Sequence, residues 1–334
     1  MESTKPVNLS LEQAERACLL LEASGDFKVL RRMRPHVAPL APPGAELAKV
    51  IILDTESTGL SPREDKLIEV GMIAWHLDVS TGAFVGEPEK RSWLEYPGFA
   101  LEPHTVALTG LTDANLAGHS FDEASIAQFM KGADLVIAHS ASHDRPFFEA
   151  RFPRLNNFAW GCSLRQVDWM AAGAGSAKLE FLLFKLGYFH DAHRALPDCY
   201  ALEHVVSSFK LPSGLTVLQH LIDASMAKDF HVFANGAPFE TKDELKARGY
   251  FWEGERKLWH KVIAEEALDA EFEWLRATIY RNRPARVQVE VISARARYSD
   301  NPPGDAVSRE WRSIGPQGES PPVGRSGGLF SGRY

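Results

Sequence analysis

The chain has 334 residues, 45% of them apolar and 24% charged, a composition that leaves room for one large domain with attachments or two modest ones. No run of about 18 apolar residues occurs, which excludes a membrane-spanning helix, and a net charge of −7 does not point to broad contact with a polyanion. The opening residues lack a signal-peptide core. Cys18, Cys162 and Cys199 lie far apart and form no Cys-x-x-Cys pair, so reduced thiols in a cytoplasmic protein are expected rather than a disulfide framework.

In chain order, Ser10-Leu-Glu-Gln13 has the form of a capping box, and Leu11, Ala14, Cys18 and Leu21 then share one helical face. A short helical piece is expected over Phe27–Met33, where Lys28, Arg31 and Arg32, with Arg34 just after, are read as a solvated basic face. Pro35, Pro39, Pro42 and Pro43 mark a linker, so residues 1–45 form an N-terminal segment. Val50–Leu53 and Asp134–Ala138 are short apolar runs of the kind buried on both faces of a sheet. Leu67–Leu77 and a stretch near Lys90–Glu95 extend the first of these as a meander. Ser120-Phe-Asp-Glu123 predicts a second capping box, opening a helix that packs Phe121, Ile126, Phe129 and Met130. Leu179, Leu182, Leu183 and Leu186 follow helical spacing, and Gly187 is placed to end that helix. Strands followed by crossover helices predict an α/β domain over 46–212. Beyond it, a strand at Phe230–Phe233, a helix at Thr241–Gly249, a hairpin turning at Glu253-Gly-Glu255, a helix over Ala264–Tyr280 and a last strand at Val287–Val291 predict a small α+β unit over 225–298. The Gly-, Pro-, Ser- and Arg-rich residues 299–334 are expected to be a disordered tail.

The chemistry-bearing feature is a set of acids at the ends of buried elements. Asp54-Thr-Glu56 directly follows Val50–Leu53, and carboxylates two residues apart on an extended backbone point to the same side, toward one hard cation such as Mg²⁺ or Mn²⁺. Asp269-Ala-Glu271 has the same spelling in a predicted surface helix and carries no such meaning, so context decides. Ser57, Thr58 and Gly59 read either as a tight turn or as small groups facing a terminal sugar or phosphate. Asp144, in His139-Ser-Ala-Ser-His-Asp144, follows the second buried strand; taken alone it reads as a helix cap. His193-Arg-Ala-Leu-Pro-Asp198 precedes an apolar helix, with His193 able to accept a proton from water and Asp198 able to complete a metal site.

The order Asp-x-Glu, Asp, then His-x4-Asp resembles the DEDD family of 3′–5′ exonucleases, in the subgroup whose fifth residue is His and which includes the bacterial DNA polymerase III epsilon proofreading subunit. The likeness runs from Val50 to about Phe209 and includes Leu108-Thr-Gly-Leu-Thr112 and Leu135-Val-Ile-Ala-His-Ser-Ala141, with Ser140 where Asn is commoner and Pro197 at a usually small position. The resemblance implies a ribonuclease-H-like fold and two divalent cations, Mg²⁺ or Mn²⁺, held by Asp54, Glu56, Asp144 and Asp198. It implies His193 as general base, with Ser57, Thr58 and His139 toward the substrate. The expected substrate is a strand with a free 3′ end, single-stranded DNA ahead of RNA, and the expected protein partner a polymerase or repair protein. A strand end needs few phosphate contacts, and bound cations supply local positive charge that the chain lacks.

Two rival readings are weighed. A zinc site from His139, His143, His190 and His193 is disfavoured because two His four apart share a helix face, whereas His139 sits at the end of a predicted strand. A binding accessory protein that kept the fold without the chemistry conflicts with the complete five-residue set. In the C-terminal unit, Tyr250, Trp252 and Trp259 interleave with basic residues. Core packing is favoured for most of these aromatics, leaving Lys246, Arg248, Lys257 and Lys261 as nucleic-acid contacts. From Arg281 onward nine arginines stand against five acids, so this end of the chain is suited to retaining polyanions.

Overall fold

The computed structural model describes residues 9–254 and 256–314. Its first sheet contains β1 (Leu47–Ser57), β2 (Leu67–Asp78), β3 (Ala83–Leu94), β4 (Leu135–Ala138) and β5 (Trp160–Cys162), in the order β3-β2-β1-β4-β5. The first three strands form an antiparallel meander, and β4 and β5 run parallel to β1. This is the mixed α/β sheet expected from the sequence.

Both faces of β1 are buried, and its alternation sorts them. Val50 and Ile52 pack with Cys199, Leu202 and Val205 of α5 (Ala195–Ser208) and with Leu218 and Leu221 of α6 (Val217–Met226). Ile51 and Leu53 pack with Ile126 and Phe129 of α2 (Glu123–Met130) and with Phe147 and Phe148 of α3 (Ala141–Arg151). Because side chains alternate along a strand, Asp54 and Glu56 continue the α5 face while Thr55 continues the α3 face.

The second sheet holds β6 (Asp229–Phe233), β7 (Phe251–Glu253), β8 (Leu258–Ala264), β9 (Ala285–Ile292) and β10 (Val307–Ile314), antiparallel in the order β10-β9-β6-β8-β7. Val287, Val289 and Leu245 share a core with Leu275 and Ile279.

Several sequence expectations need correction. Residues 27–33 are not helical: Arg31 and Arg32 pair in parallel with Tyr188 and Phe189, and Arg31 binds Glu15 and Glu22 of α1 (Leu11–Ala23). The basic cluster is thus held by acids of its own chain. The α2 helix is capped by Asp122, whose side chain accepts from Ser125 N, and not by Ser120. Residues 264–280 are a short 3-10 turn, an α-helix over Leu268–Trp274 and a π turn over Leu275–Ile279. The expected disordered tail begins too early: β10 pairs with β9 over eight residues, and of residues 299–334 those from 315 onward lie outside the described residues. A boundary at 212 also falls too soon, because Val217, Leu218 and Leu221 of α6 complete the core beneath the first sheet.

A buried cation ties the first sheet's unit to the segment between β9 and β10. Arg145 of α3 is 0% exposed, pairs with Glu149 at 2.6 Å and donates to the carbonyls of Asn156, Arg295 and Arg297. Ala294 and Tyr298 of that same segment pack into the first sheet's two cores. Arg145→Ala would leave Glu149 without its cation, with only the Ser299 hydroxyl still donating to it, and would take the Arg145 donor from these carbonyls. It should cost about 3–5 kcal/mol in urea unfolding, as breaking a buried ion pair usually does.

Candidate metal centre

The acids meet where β1 leaves the core. Ligand oxygens of Asp54, Glu56 and Asp198 lie within 4.8 Å of one another, the one such grouping of three His, Cys, Asp or Glu side chains among the described residues. It contains no histidine, in keeping with the sequence argument against zinc. Asp54, Asp198, Asp144, His193, His139 and His143 line a cavity of about 590 Å³ beside it. Ser57 and Thr58 do not line this cavity. The Ser57 hydroxyl donates to Gly59 O at 2.6 Å, and Thr58 N–H donates to Lys66 O while its hydroxyl accepts from Lys66 N. These two residues help form the turn at the end of β1, and the Ser57 hydroxyl also lies 3.5 Å from Nε2 of His143, which lines the cavity.

Each acid is positioned by a different device. Asp144 is 2% exposed and accepts from both the backbone N–H and the hydroxyl of Thr55, at 3.1 and 2.8 Å. It sits within α3, one turn past the N-cap Ser140, so it is not a cap. Asp198 accepts the backbone N–H of His193 at 2.9 Å and contacts His190 Nε2 at 2.6 Å. The α5 helix that carries Asp198 is itself pinned. Buried Glu69 of β2 accepts from Arg194 and from Ala195 N–H at the helix start, where a negative charge suits the exposed amides. Gly71, which pairs with Asp54 across the sheet, lets that helix approach: a Cβ there would lie 2.5 Å from the carbonyl carbon of Ala195.

Sequence reasoning missed Glu69, Gly71, His190 and Thr55 as supports. One signal was readable, since Glu69 and Gly71 interrupt the otherwise apolar run Leu67–Ala74. His193 has a left-handed backbone at φ 66°, half-exposes its side chain and reaches Glu180 at 3.6 Å. His139 bonds Ser163 at 2.7 Å, and burial pushes it down to about 4, so it stays neutral.

Burial raises three of the acids, and crowding adds to it for two of them. Burial, followed by Asp144, Asp198, Glu56 and Glu69, lifts Asp54 well above the usual carboxylate range. Burial and then Asp198 push Glu56 up to about 8, and burial pushes Asp144 up to about 7 against its Thr55 hydrogen bonds. A set of carboxylates this close and this hard to ionise fits divalent cations, which supply the missing positive charge through the oxygen ligands they prefer.

Two outcomes follow from this geometry. The metal-free protein binds protons more tightly folded than unfolded, so its stability should fall as pH rises from the ordinary carboxylate range through about 8. Melting in chelator should show this slope, and Mg²⁺ or Mn²⁺ should raise the melting temperature more at pH 8 than at pH 6; an equal gain at both would separate the acids from the metal. His190→Ala should weaken cation binding by about 10–100-fold, the usual effect of removing a partner that orients a ligand. Titration calorimetry would measure it, with unchanged affinity removing His190 from the site.

Residues 51–205 match the exonuclease family of RNase T. The epsilon subunit of DNA polymerase III from Aquifex aeolicus is 25% identical over 156 residues, covering 44% of this chain and 73% of that protein. The epsilon subunit from Treponema pallidum is 29% identical over 155 residues, covering 43% of this chain and 68% of that one. A PolC-type DNA polymerase III from Thermotoga petrophila is 26% identical over 205 residues, which cover 56% of this chain but only 14% of the polymerase.

Proposed function

We propose that this chain, whose residues 51–205 match an exonuclease family, removes nucleotides from the 3′ end of a strand, DNA in preference to RNA, by two-metal hydrolysis. The observation that carries the reading is the convergence of Asp54, Glu56 and Asp198, with Asp54 and Asp198 lining the same cavity as buried Asp144. The DNA preference is supported by the relatives, which are DNA polymerase III proteins. They also support a polymerase as partner and the cytoplasm as the place of work.

Two cations, when bound, would neutralise the phosphate, acidify the attacking water and stabilise the departing 3′ oxygen. The residues do the rest. Asp54 and Glu56, fixed by the strand alternation, and Asp198, fixed through α5, would hold a cation. Asp144, clamped by Thr55, faces the same cavity from α3 and completes the set. His193 lines the cavity on a loop whose backbone N–H is tied to Asp198, so its imidazole is free to take the proton of the attacking water at Nδ1 or Nε2. His139, neutral, is suited to hydrogen-bond a substrate oxygen. No helix among the described residues is long and apolar enough to cross a membrane.

Strands labelled at the 5′ end test the direction and the substrate together. A ladder of shortening products from single-stranded DNA, lost in chelator and restored by Mg²⁺ or Mn²⁺, is expected. Release of the label as a mononucleotide in the first turnovers would reverse the polarity, and faster loss of RNA would reverse the preference. Asp54→Ala and Asp198→Ala should reduce hydrolysis to background while leaving the fold intact. His193→Ala should lose about 10²–10⁴-fold at neutral pH and partly recover as pH rises, because hydroxide then needs less help from a base. A flat profile at full activity would remove His193 from the mechanism.

A further inference from the structure

Four basic residues of the second sheet's unit are the sequence candidates for strand contact, and the structure divides them. Arg248 and Lys261 both lie 3.2 Å from the same carboxylate oxygen of Glu271, which is 3% exposed. Their charge is answered inside the protein. Lys246 and Lys257 are exposed on separate elements, and no cavity described here gathers them. Arg256 and Arg309 in turn converge on Glu290.

A different group is left unanswered. Arg281, Arg283 and Arg286 are exposed, form no ion pair among the described residues and line one cavity of about 470 Å³ between the π turn and the start of β9. Glu240 is the one acid in its lining. The floor is polar and tied down: Tyr280 donates to Asn235 O at 2.8 Å, and the Asn235 side chain accepts from Gln288 N at 2.8 Å. The rim bends the chain where side chains resist bending. Arg281 and Asn282 sit at φ 50° and 58°, held by Asn282 N–H donating to Arg276 O and Arg283 N–H to Tyr280 O. Bulky residues rarely adopt that conformation, and strain of this kind collects at binding sites. Two exposed aromatics flank the group. Trp311 of β10, 52% exposed, stacks its ring 5.6 Å from the Arg286 guanidinium, and Phe239, 76% exposed, adjoins the lining residues Pro238 and Glu240.

We propose that this arginine cavity is the strand-holding site of the second sheet, gripping consecutive phosphates of a single-stranded nucleic acid while Trp311 stacks on a base. The inference rests on the exonuclease reading for its ligand. Guanidinium forks match phosphate oxygens two at a time, and an adjacent ring that accepts any base gives affinity without sequence preference. The strand therefore remains bound as its end is shortened. An anionic lipid surface would also meet three arginines, but the cavity is concave and its aromatic neighbour is itself braced by Arg286, which suits a threaded strand.

The test uses the full chain in chelator, a fluorescent 30-nucleotide single strand and anisotropy over a range of salt. R281Q/R283Q/R286Q should raise Kd about tenfold at 0.1 M salt and lower the log–log salt slope by about 2, because each phosphate contact contributes about 0.7. The matching triple Arg→Lys protein should keep most of the slope, since the charge is retained. Trp311→Ala should weaken binding without changing the slope. Unchanged Kd and slope in the Gln triple, or equal loss of slope in the Lys triple, would overturn the proposal. So would a loss confined to vesicles containing one-third phosphatidylserine. Hydrolysis of a dinucleotide with Mn²⁺ separates this inference from the one it rests on. Wild-type and Gln-triple proteins should cleave it equally. If neither cleaves it while the strand affinity still falls, the exonuclease reading fails and the arginine site stands.

Discussion

Like charges forced together govern this structure. Burial and the neighbouring carboxylates raise the proton affinity of Asp54 and Glu56, burial raises that of Asp144, and nothing in the mutual contact of these acids favours the arrangement. The surrounding fold must therefore hold each of them from behind. It does so with groups that lie outside the cluster: Thr55 for Asp144, His190 for Asp198, and the Glu69–Arg194 pair for the helix that carries Asp198. A site of this kind is built to be completed by cations, and the stability that the carboxylates withhold from the metal-free protein becomes binding energy for the metal.

The strand alternation explains why two sheet faces suffice to assemble the set. Even-numbered residues of β1 bury Val50 and Ile52 against α5 and then deliver Asp54 and Glu56 to the same side, where Asp198 waits on that helix. Odd-numbered residues bury Ile51 and Leu53 against α3 and then deliver Thr55 to Asp144. A one-residue slip of β1 would exchange these partners and bring two acids against the wrong helix. Gly71 closes the argument from the neighbouring strand, because only a missing side chain lets the start of α5 rest on β2.

This division also accounts for what was legible in the sequence. Asp54 and Glu56 could be read because a buried strand and its period of two are local features, and Asp198 with His193 because their spacing is local too. The supports could not, since Glu69 meets Arg194 and Thr55 meets Asp144 across more than eighty residues. The same limit produced the misreadings. Arg31 looked helical until Glu15, Glu22 and the Tyr188–Phe189 edge claimed it. Residues 307–314 looked too polar to order, yet β9 offers them a full partner and only Val307, Arg312 and Ile314 need turn inward at all. An edge strand can afford that composition because one face and one edge meet water.

Net charge proves a poor guide to where a polyanion would bind. The chain carries −7 overall, and its acids are concentrated where cations or arginines answer them. Glu271 engages both Arg248 and Lys261, Glu290 engages both Arg256 and Arg309, and Glu15 and Glu22 hold Arg31. Each pairing removes a basic residue from the count available to a ligand. What remains is set by which arginines the fold leaves unpaired, and Arg281, Arg283 and Arg286 are gathered around one concave, strained rim. Local field, rather than total charge, decides attraction at distances shorter than the screening length of about 8 Å at physiological salt. On the proposed reading, an acidic protein can thus present two attractive places to a strand, the metal centre and the arginine cavity.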